Sequence, residues 1–180
     1  MTDTDALDLL RAAVPAADGE VWADLGAGTG VFSRALAMLV GRAGRVIAVD
    51  RDARALASLL RGRRHPPRVP AAPVEGRVGD VTGPLALPVL DGVVMANVLH
   101  FVADARGALL NVAGMLRPGG RLVLMEYEGR RPGPWTPYPV DFDRFVELAP
   151  AAGFTLPTRA ARRPSRFGGE IYVAVAVRAG

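Results

Sequence analysis

The residues with the clearest chemical potential form a glycine-rich segment near the N-terminus, Asp24-Leu-Gly-Ala-Gly-Thr-Gly30. Its three glycines allow a tight turn and a close approach of the backbone to a ligand at the start of a helix. The spacing is G-x-G-x-G, and Val31 stands where the dinucleotide fingerprint G-x-G-x-x-G needs its third glycine. The charge of Asp24 would oppose a pyrophosphate but would suit an ammonium group. The segment therefore predicts a nucleoside-like, cationic ligand without phosphate.

Two further carboxylates are candidates for holding that ligand. Asp50 ends a predicted strand twenty residues after Gly30, and a carboxylate at that place can accept hydrogen bonds from both ribose hydroxyls. The alternative is that Asp50, with Asp52, caps the helix that follows. Asp80 follows the third predicted strand within Gly79-Asp80-Val81. Taken alone, Asp80 would be an ordinary turn residue. It becomes a candidate because the glycine-rich segment and Asp50 are present as well.

His100 is the main candidate for catalysis. It follows the fourth predicted strand, and histidine titrates near neutral pH. The alternative is a partly buried histidine that is satisfied by neighbouring backbone. Glu126 and Tyr127, at the end of the fifth strand, are further candidates. His65 lies among arginines and prolines and is predicted to be solvated.

The elements that would position these residues alternate between strand and helix. The predicted strands are Glu20–Leu25, Arg45–Asp50, Val74–Val78, Gly92–Ala96, Arg121–Glu126 and Glu170–Arg178. The predicted helices are Asp5–Val14, Gly30–Val40, Asp52–Arg61 and a fourth that carries Leu109, Val112, Ala113 and Leu116 on one face. Such alternation predicts an α/β fold with a parallel sheet, helices on both faces and ligands at the carboxyl ends of the strands. The loop before the last strand is too short for a parallel crossover, so this strand is predicted to be antiparallel.

Length and composition predict one globular domain over residues 1–180. Half of the residues are apolar, charges are mixed along the chain, and no domain linker or internal repeat is visible. No apolar run is long enough to span a bilayer, and the N-terminus is acidic where a secretory signal would be basic. The expected location is the cytoplasm.

The chain contains neither cysteine nor lysine. Cysteine nucleophiles, thiolate metal sites and mechanisms that require a lysine are therefore excluded. The net charge of +4 comes from arginines, ten of which cluster in three groups: Arg61, Arg63, Arg64 and Arg68; Arg130 and Arg131; Arg159, Arg162, Arg163 and Arg166. We interpret them as residues of solvated loops, because a nucleic-acid footprint would form a contiguous stripe with interleaved aromatic residues. No nucleic-acid partner is expected.

Roughly residues 18–127 resemble the class I S-adenosylmethionine-dependent methyltransferases, in particular the small-molecule group that includes the ubiquinone and menaquinone biosynthesis type. The motifs are the glycine-rich segment, Asp50, Gly79-Asp80, Asn97-Val-Leu-His100 and Leu116-Arg-Pro-Gly-Gly120. The resemblance implies a Rossmann-like, doubly wound three-layer sandwich whose seven-stranded sheet is mostly parallel, with the last strand antiparallel. It also implies S-adenosyl-L-methionine as the cofactor. No metal site is expected.

The resemblance implies separate roles for the cofactor residues. Gly26 and Gly28 pack against the cofactor, Asp50 holds the ribose, Asp80 accepts from the adenine amine, and Asn97 lies near the methionine end. The residues expected to contact the cofactor are Asp24, Gly26, Ala27, Gly28, Gly30, Asp50, Arg51, Gly79, Asp80, Val81 and Asn97.

Departures from related families narrow the substrate to a small organic molecule. Amino-directed nucleic-acid methyltransferases have Asn/Asp-Pro-Pro-Tyr/Phe where this chain has Asn97-Val-Leu-His100. No cluster resembles the magnesium site of catechol-type enzymes. The expected reaction is direct in-line displacement at the sulfonium methyl group. A non-catalytic S-adenosylmethionine-binding protein and a nicotinamide-dependent oxidoreductase remain as alternatives.

The segment Gly129–Pro139 is a candidate cover for the acceptor. Its prolines limit its flexibility, and Trp135 and Tyr138 could shape an apolar pocket. The alternatives are an ordinary surface connection with its aromatic residues packed down, and the N-terminal helix as the cover.

Overall fold

Helices and strands alternate through most of the chain. The computed structural model describes residues 2–15, 19–61, 71–165 and 167–180. The helices are α1 (Asp3–Arg11), α2 (Val31–Val40), α3 (Ala53–Arg61), α4 (Ala105–Met115) and α5 (Phe142–Ala151), with a 3₁₀ turn at Leu99–Phe101. The strands are β1 (Val21–Leu25), β2 (Arg45–Asp50), β3 (Val74–Val78), β4 (Leu90–Ala96), β5 (Leu116–Glu128), β6 (Thr158–Pro164) and β7 (Glu170–Val177).

The strands form one seven-stranded sheet in the order β3-β2-β1-β4-β5-β7-β6. Strands β1 to β5 pair in parallel, whereas β7 pairs antiparallel to both β5 and β6. The predicted Rossmann-like fold, with seven strands and an antiparallel last strand, is therefore confirmed. The strand order reverses between β1 and β4, and in such sheets this is the place where ligands bind.

The sheet separates two hydrophobic cores. On β5, Leu122 and Leu124 pack toward α4 and α5, whereas Val123 and Met125 pack toward α1, α2 and α3. This alternation follows from the period of two residues along a strand. It continues at the end of β5, so it directs the next two side chains, at 126 and 127, to opposite faces.

Polar caps set where several helices begin. Thr2 and Asp5 form a reciprocal capping box, so α1 begins at Asp3 and ends at Arg11 rather than spanning the predicted Asp5–Val14. Asp104 and Asp141 cap α4 and α5 by accepting from backbone N–H groups. The sequence analysis placed the helix but missed Thr2 as its cap.

The boundary between α4 and β5 is the first correction to the sequence analysis. Leu116 was predicted on the apolar face of α4, with the fifth strand beginning at Arg121. Its backbone is instead extended, and it pairs with Leu90 of β4. Pro118 has no N–H to continue a helix, and it lies inside a strand that runs from Leu116 to Glu128.

The third arginine group is the second correction. Arg159, Arg162 and Arg163 were predicted on a solvated loop, but they belong to β6, at one edge of the sheet. Strand β6 has no apolar alternation, since it reads Thr-Arg-Ala-Ala-Arg-Arg-Pro. An edge strand rich in charge is stable here because its backbone pairs with the apolar strand β7.

Some predictions fall outside the described residues. They concern His65, Arg63, Arg64, Arg68 and Arg166, together with most of the loop predicted between Arg61 and Pro73. Within the described ranges, the helices are all too short or too polar to cross a membrane.

Gly92 in β4 generates a prediction about stability. A Cβ atom there would overlap the ring of Trp22, which is completely buried. We therefore expect Gly92→Ala to destabilise the fold by about 1–3 kcal/mol through overpacking. The matched control is Gly114→Ala in α4, where a Cβ meets nothing within 4 Å and the expected gain is up to about 1 kcal/mol. Urea unfolding of both variants measures the difference, and equal effects would contradict the packing argument.

Candidate functional site

The glycine-rich segment forms the turn after β1, and backbone hydrogen bonds connect it to β2. The N–H groups of Gly26 and Ala27 both donate to the carbonyl oxygen of Val49, at 2.8 and 3.0 Å. Gly26, Gly28 and Gly30 have φ values of 77°, 53° and 84°. This left-handed region favours glycine because it lacks a Cβ atom.

The three glycines differ in what a side chain at each position would contact. A Cβ atom at Gly26 would overlap Val98, and one at Gly30 would overlap Leu59. At Gly28 a Cβ atom would meet nothing within 4 Å. All three glycines were predicted to let the backbone approach a ligand. In the structure only Gly28 borders open space in this way, whereas the other two accommodate neighbouring side chains.

Asp24 at the end of β1 is almost completely buried. The hydroxyl group of Ser33 donates to its Oδ2 atom at 2.5 Å. Burial raises the pKa of Asp24 to about 6; the bond from Ser33 opposes this rise, and the charge of Asp50 adds to it. Asp24 does not line any of the three cavities described below. Its predicted contact with a ligand ammonium stays a prediction.

Asp50 at the end of β2 connects two backbone segments. Its Oδ2 accepts from the N–H of Gly28 at 2.7 Å, and its Oδ1 accepts from the N–H of Asp52 at 2.8 Å. The second bond lies in the turn before α3, and the residue that accepts from the first turn of this helix is Asp52, whose Oδ1 accepts from the N–H of Arg54 at 2.8 Å. The first bond joins Asp50 to the glycine turn, and Asp50 also lines a cavity. The capping alternative therefore describes Asp52 rather than Asp50.

Three cavities adjoin at the carboxyl edge of the sheet, and Asn97 lies in the wall of all three. The first, of about 270 Å³, is lined by Gly26, Asp50, Arg51, Gly79, Asp80, Val81, Thr82, Asn97, Val98, Phe101 and Val102. The second, of about 550 Å³, runs past Gly26 and Ala27 to Thr2 and Asp5 at the start of α1. The third, of about 640 Å³, is lined by Asn97, His100, Phe101, Tyr127, Arg130, Trp135, Thr136 and Phe167.

The first cavity collects most of the residues predicted to hold a nucleoside. Within it, the Oδ1 atom of Asp80 accepts from the backbone N–H and the hydroxyl group of Thr82, at 2.9 and 2.8 Å. These bonds hold the pKa of Asp80 below its ordinary value. The carboxylate is therefore fixed in its ionised, accepting form beside Arg51 and Val81.

Asn97 is the most unusual residue of the site. Its φ of 58° is the only positive value among the described residues that are not glycine, and its N–H donates to the carbonyl oxygen of Met125 at 2.9 Å. Its side-chain Oδ1 is buried and has no hydrogen-bond partner within the described parts of the chain. Leaving a buried acceptor unpaired costs about 1–3 kcal/mol. Strain and an unpaired acceptor at one residue are typical of a binding site.

His100 and Glu126 form a buried pair beside the third cavity. The Nδ1 atom of His100 lies 2.6 Å from the Oε2 atom of Glu126, and their side chains are 3% and 1% exposed. The other oxygen, Oε1, accepts from the N–H groups of Val98 and His100 at 3.1 and 3.3 Å. The alternative that backbone satisfies His100 does not describe this contact, because the ring nitrogen is bound by a carboxylate.

Aromatic side chains surround the mouth of the third cavity. Trp135 and Phe167 are 84% and 64% exposed, so Trp135 is not packed down onto the surface. The guanidinium of Arg130 lies 5.0 Å from the centre of the Tyr127 ring and donates to the carbonyl oxygen of Phe167. Tyr138, in contrast, does not line this cavity, although its N–H donates to the carbonyl oxygen of His100.

The N-terminal helix borders the second cavity and is attached by ion pairs. Asp3 accepts two hydrogen bonds from Arg34, at 2.8 and 2.7 Å, and Arg34 also donates to the carbonyl oxygen of Thr29 in the glycine turn. Asp5 pairs with Arg163 of β6 at 3.1 Å. The two candidate covers therefore lie over different cavities: α1 over the second, the Gly129–Pro139 segment over the third.

Several residues of the site were not predicted. Val98 lies inside the motif Asn97-Val-Leu-His100 and Phe101 directly follows it, so their position in the chain was a usable signal. Arg163 and Phe167 come from β6 and from the turn before β7. Nothing local marks them, because only the antiparallel pairing of β7 brings them to this edge.

Comparison with known proteins places this geometry among methyltransferases. The profile of a family described as "Methyltransferase domain" matches residues 23–122. Over 105 residues the chain is 34% identical to the 2-phytyl-1,4-naphtoquinone methyltransferase of Thermosynechococcus vestitus, which is 58% of this chain and 44% of that protein. The chain spans less than half the length of the curated relatives it matches, at 32% and 44%.

Solved structures show the same fold at low sequence identity. YcgJ from Bacillus subtilis superposes with a TM-score of 0.76 at 14% identity, over 98% of this chain and 99% of that one. Magnesium protoporphyrin IX methyltransferase from Synechocystis PCC 6803, solved with bound S-adenosylhomocysteine, superposes with a TM-score of 0.75 at 18% identity, over 98% and 82%. At these identities the likeness concerns the fold alone.

The raised pKa of Asp24 predicts how stability depends on pH. Its pKa rises from 3.8 to about 6 on folding. The protonated form therefore stabilises the fold below pH 4, and this contribution is lost as pH rises to about 6. The loss is on the order of 3 kcal/mol.

Asp24→Asn tests this effect, since asparagine can still accept from Ser33 but does not ionise. Urea unfolding at pH 4 and pH 8 should show the variant gaining stability relative to the wild type at the higher pH. A difference between the two proteins that is the same at both pH values would contradict the assignment.

Proposed function

The chain belongs to the methyltransferase domain family, and from this membership we propose that it transfers a methyl group from S-adenosylmethionine to a small organic acceptor. The observation that carries the proposal is the convergence of three cavities on Asn97. One contains two carboxylates, one follows the glycine turn, and one contains a buried histidine among aromatic side chains. The carboxylates of the first cavity suit a nucleoside, the glycine turn suits an amino-acid chain, and the histidine with its aromatic neighbours suits an acceptor.

The cofactor fits the donors and acceptors that the chain presents. Asp50 would hold the ribose hydroxyls and Asp80 the adenine amine of an adenosine group in the first cavity. Gly26, Ala27 and Gly28 would face the methionine part, toward the second cavity. The unpaired Oδ1 of Asn97 needs a hydrogen-bond donor, and an ammonium group or a hydroxyl group supplies one.

S-adenosylmethionine, when bound, supplies a methyl group on a sulfonium sulfur. An acceptor that attacks the methyl carbon in line displaces the sulfur. The residues of the chain contribute alignment, because the walls at Asn97 hold the two ligands at the junction of the cavities. Proximity of this kind supplies roughly 7–11 kcal/mol of the barrier reduction. His100 adds a general base at the acceptor side, which contributes roughly 10²–10⁴-fold. Tyr127 and Glu126, the other catalytic candidates, both lie beside His100: the centres of the Tyr127 and His100 rings are 5.8 Å apart, and Oε2 of Glu126 lies 2.6 Å from Nδ1.

The third cavity favours a flat, largely apolar acceptor. Phe101, Tyr127, Trp135 and Phe167 supply rings for stacking. Arg130 adds one positive charge at the wall, which suits an electron-rich or anionic ring. A curated relative carries a naphthoquinone in its name, and a substrate of that general shape suits these walls.

The other two functions have less support. A non-catalytic binding protein has no need for a buried His100–Glu126 pair beside an aromatic cavity. A nicotinamide-dependent oxidoreductase would need to place a pyrophosphate at the glycine turn, where Val31 replaces the third glycine and Asp24 adds negative charge.

The cofactor assignment predicts the effect of Asp50→Ala. Removing a charged acceptor should weaken S-adenosylmethionine and S-adenosylhomocysteine about ten- to a hundredfold, or about 1.5–3 kcal/mol. Titration calorimetry measures both affinities. The matched control is Asp52→Ala, two residues away and outside the first cavity, which should change affinity less than threefold. Unchanged binding in the Asp50 variant would refute the ribose assignment.

The acceptor assignment predicts the effect of Trp135→Ala. A screen of small aromatic acceptors with methyl-labelled cofactor first identifies a substrate. The variant should then raise the KM for that acceptor by about tenfold, or about 1.4 kcal/mol, with cofactor affinity unchanged. Tyr138→Ala is the control, because Tyr138 is in the same segment but does not line the cavity. An equal effect of both substitutions would show that the segment acts through its stability.

A fluorescence measurement supports the same test. The chain has two tryptophans, and a Trp22→Phe background leaves Trp135 as the reporter. Its emission should change when acceptor is added to the cofactor-saturated protein. An unaltered spectrum would place Trp135 outside the acceptor site.

A further inference from the structure

The ring of His100 is held by a carboxylate that is itself anchored to the backbone. From this arrangement we propose that Glu126 is a positioning residue that keeps the proton of His100 on Nδ1. The Nε2 atom is then a proton acceptor, so the methyl acceptor is a molecule that must lose a proton. This inference rests on the proposed function and adds to it the class of acceptor atom.

The backbone determines which oxygen of Glu126 faces the ring. Oε1 accepts from the N–H groups of Val98 and His100, and these groups can only donate. Oε2 is therefore the atom that lies 2.6 Å from the Nδ1 of His100. The strand also contributes, because Glu126 follows Leu122 and Leu124 on the face toward α4, which is the side where the 99–101 turn lies.

This geometry sets the tautomer of His100. A carboxylate accepts hydrogen bonds and has none to donate, so the hydrogen of the neutral ring resides on Nδ1. The other nitrogen, Nε2, has no hydrogen-bond partner within the described residues and belongs to a ring that lines the third cavity. Its lone pair is therefore available to a molecule in that cavity.

Glu126 also makes protonation of His100 feasible. An imidazolium that is 97% buried would be strongly disfavoured without a nearby negative charge. The carboxylate at 2.6 Å supplies that charge, so the pair changes from one negative charge to zero when the ring gains a proton. The other ionisable side chains that line this cavity are those of Tyr127 and Arg130. The centres of the His100 and Tyr127 rings are 5.8 Å apart, and the Arg130 guanidinium lies 5.0 Å from the centre of the Tyr127 ring.

The acceptor class follows from the proton balance. The proton of the acceptor X–H group passes to Nε2, and the electron pair of that bond forms the new bond from X to the methyl carbon. The electrons of the carbon–sulfur bond remain on the sulfur, and the proton later leaves Nε2 for water. A hydroxyl, an N–H group or an acidic C–H group meets this requirement. A thioether or a tertiary amine does not, since it has no proton to lose.

The tautomer can be measured directly by ¹H–¹⁵N correlation through the imidazole ring. The chain has two histidines, so a His65→Gln variant assigns the signals of His100. At the pH of the turnover assay the spectrum should show the hydrogen of His100 on Nδ1 and none on Nε2. A ring protonated on Nε2, or on both nitrogens, would overturn the proposal, because neither form can accept a proton at Nε2.

Glu126→Gln tests the cause of the tautomer. The donors Val98 and His100 require the amide oxygen to occupy the place of Oε1, so the amide NH₂ must face Nδ1. The hydrogen of His100 should then move to Nε2, and turnover should fall about 10²–10⁴-fold, whereas the KM for the acceptor and the affinity for S-adenosylmethionine stay within threefold. A purely structural role would instead lower the melting temperature and cofactor affinity, with the tautomer unchanged.

The control is Glu128→Gln, on the same strand and the same face. Glu128 contacts Arg159 at 2.9 Å and the N–H of Phe142 at 3.2 Å and does not touch His100. Its variant should keep the Nδ1 tautomer and its turnover within about threefold. A tautomer that stays on Nδ1 in Glu126→Gln would overturn the proposal. Should that variant fail to fold, the wild-type spectrum still decides. Failure of the wild type to bind S-adenosylmethionine in calorimetry would refute the proposed function, independently of the tautomer.

Discussion

The contact between the turn after β1 and the turn after β4 is the constraint on which the site depends. Gly26 has no side chain because Val98 occupies the place where its Cβ atom would lie. The two strands are neighbours in the sheet, so their turns must cross at close range. Asn97, directly before Val98, has a left-handed backbone. This contact brings Asn97 into the wall of three cavities. It also turns the chain toward β5, where His100 contacts Glu126.

Much of the fold could be predicted because apolar runs and turn residues mark it clearly. The bounds of β2 and β3 agree with the prediction, since each is delimited by glycine, proline or aspartate. The direction of β7 follows from its short connection. The errors have physical causes as well. Leu116 suits both a helix face and a strand, and only its pairing with Leu90 decides. Strand β6 has no apolar alternation and depends on β7 for its pairing.

The site is predictable only as far as strand ends determine it. Carboxyl ends of neighbouring parallel strands meet at one edge, so Asp50, Asp80, Asn97 and His100 gather as the sequence indicates. The direction of the side chains could not be predicted in the same way. Glu126 and Tyr127 are adjacent in sequence but face opposite cores, and the pairing of Glu126 with His100 depends on the register between β4 and β5. Asp24 illustrates the same limit, because its partner Ser33 comes from the first turn of α2.

The place of β7 in the sheet has a kinetic consequence. This strand lies between β5 and β6, so β5 keeps an open edge and β6 has no partner until Glu170–Val177 has been synthesised. The parallel half, with the glycine turn and both aspartates of the first cavity, is complete in sequence earlier. During translation, a domain generally folds as a unit. The sheet therefore stays incomplete until β7 is added, and the exposed edge of β5 is the surface that needs protection from aggregation in that interval.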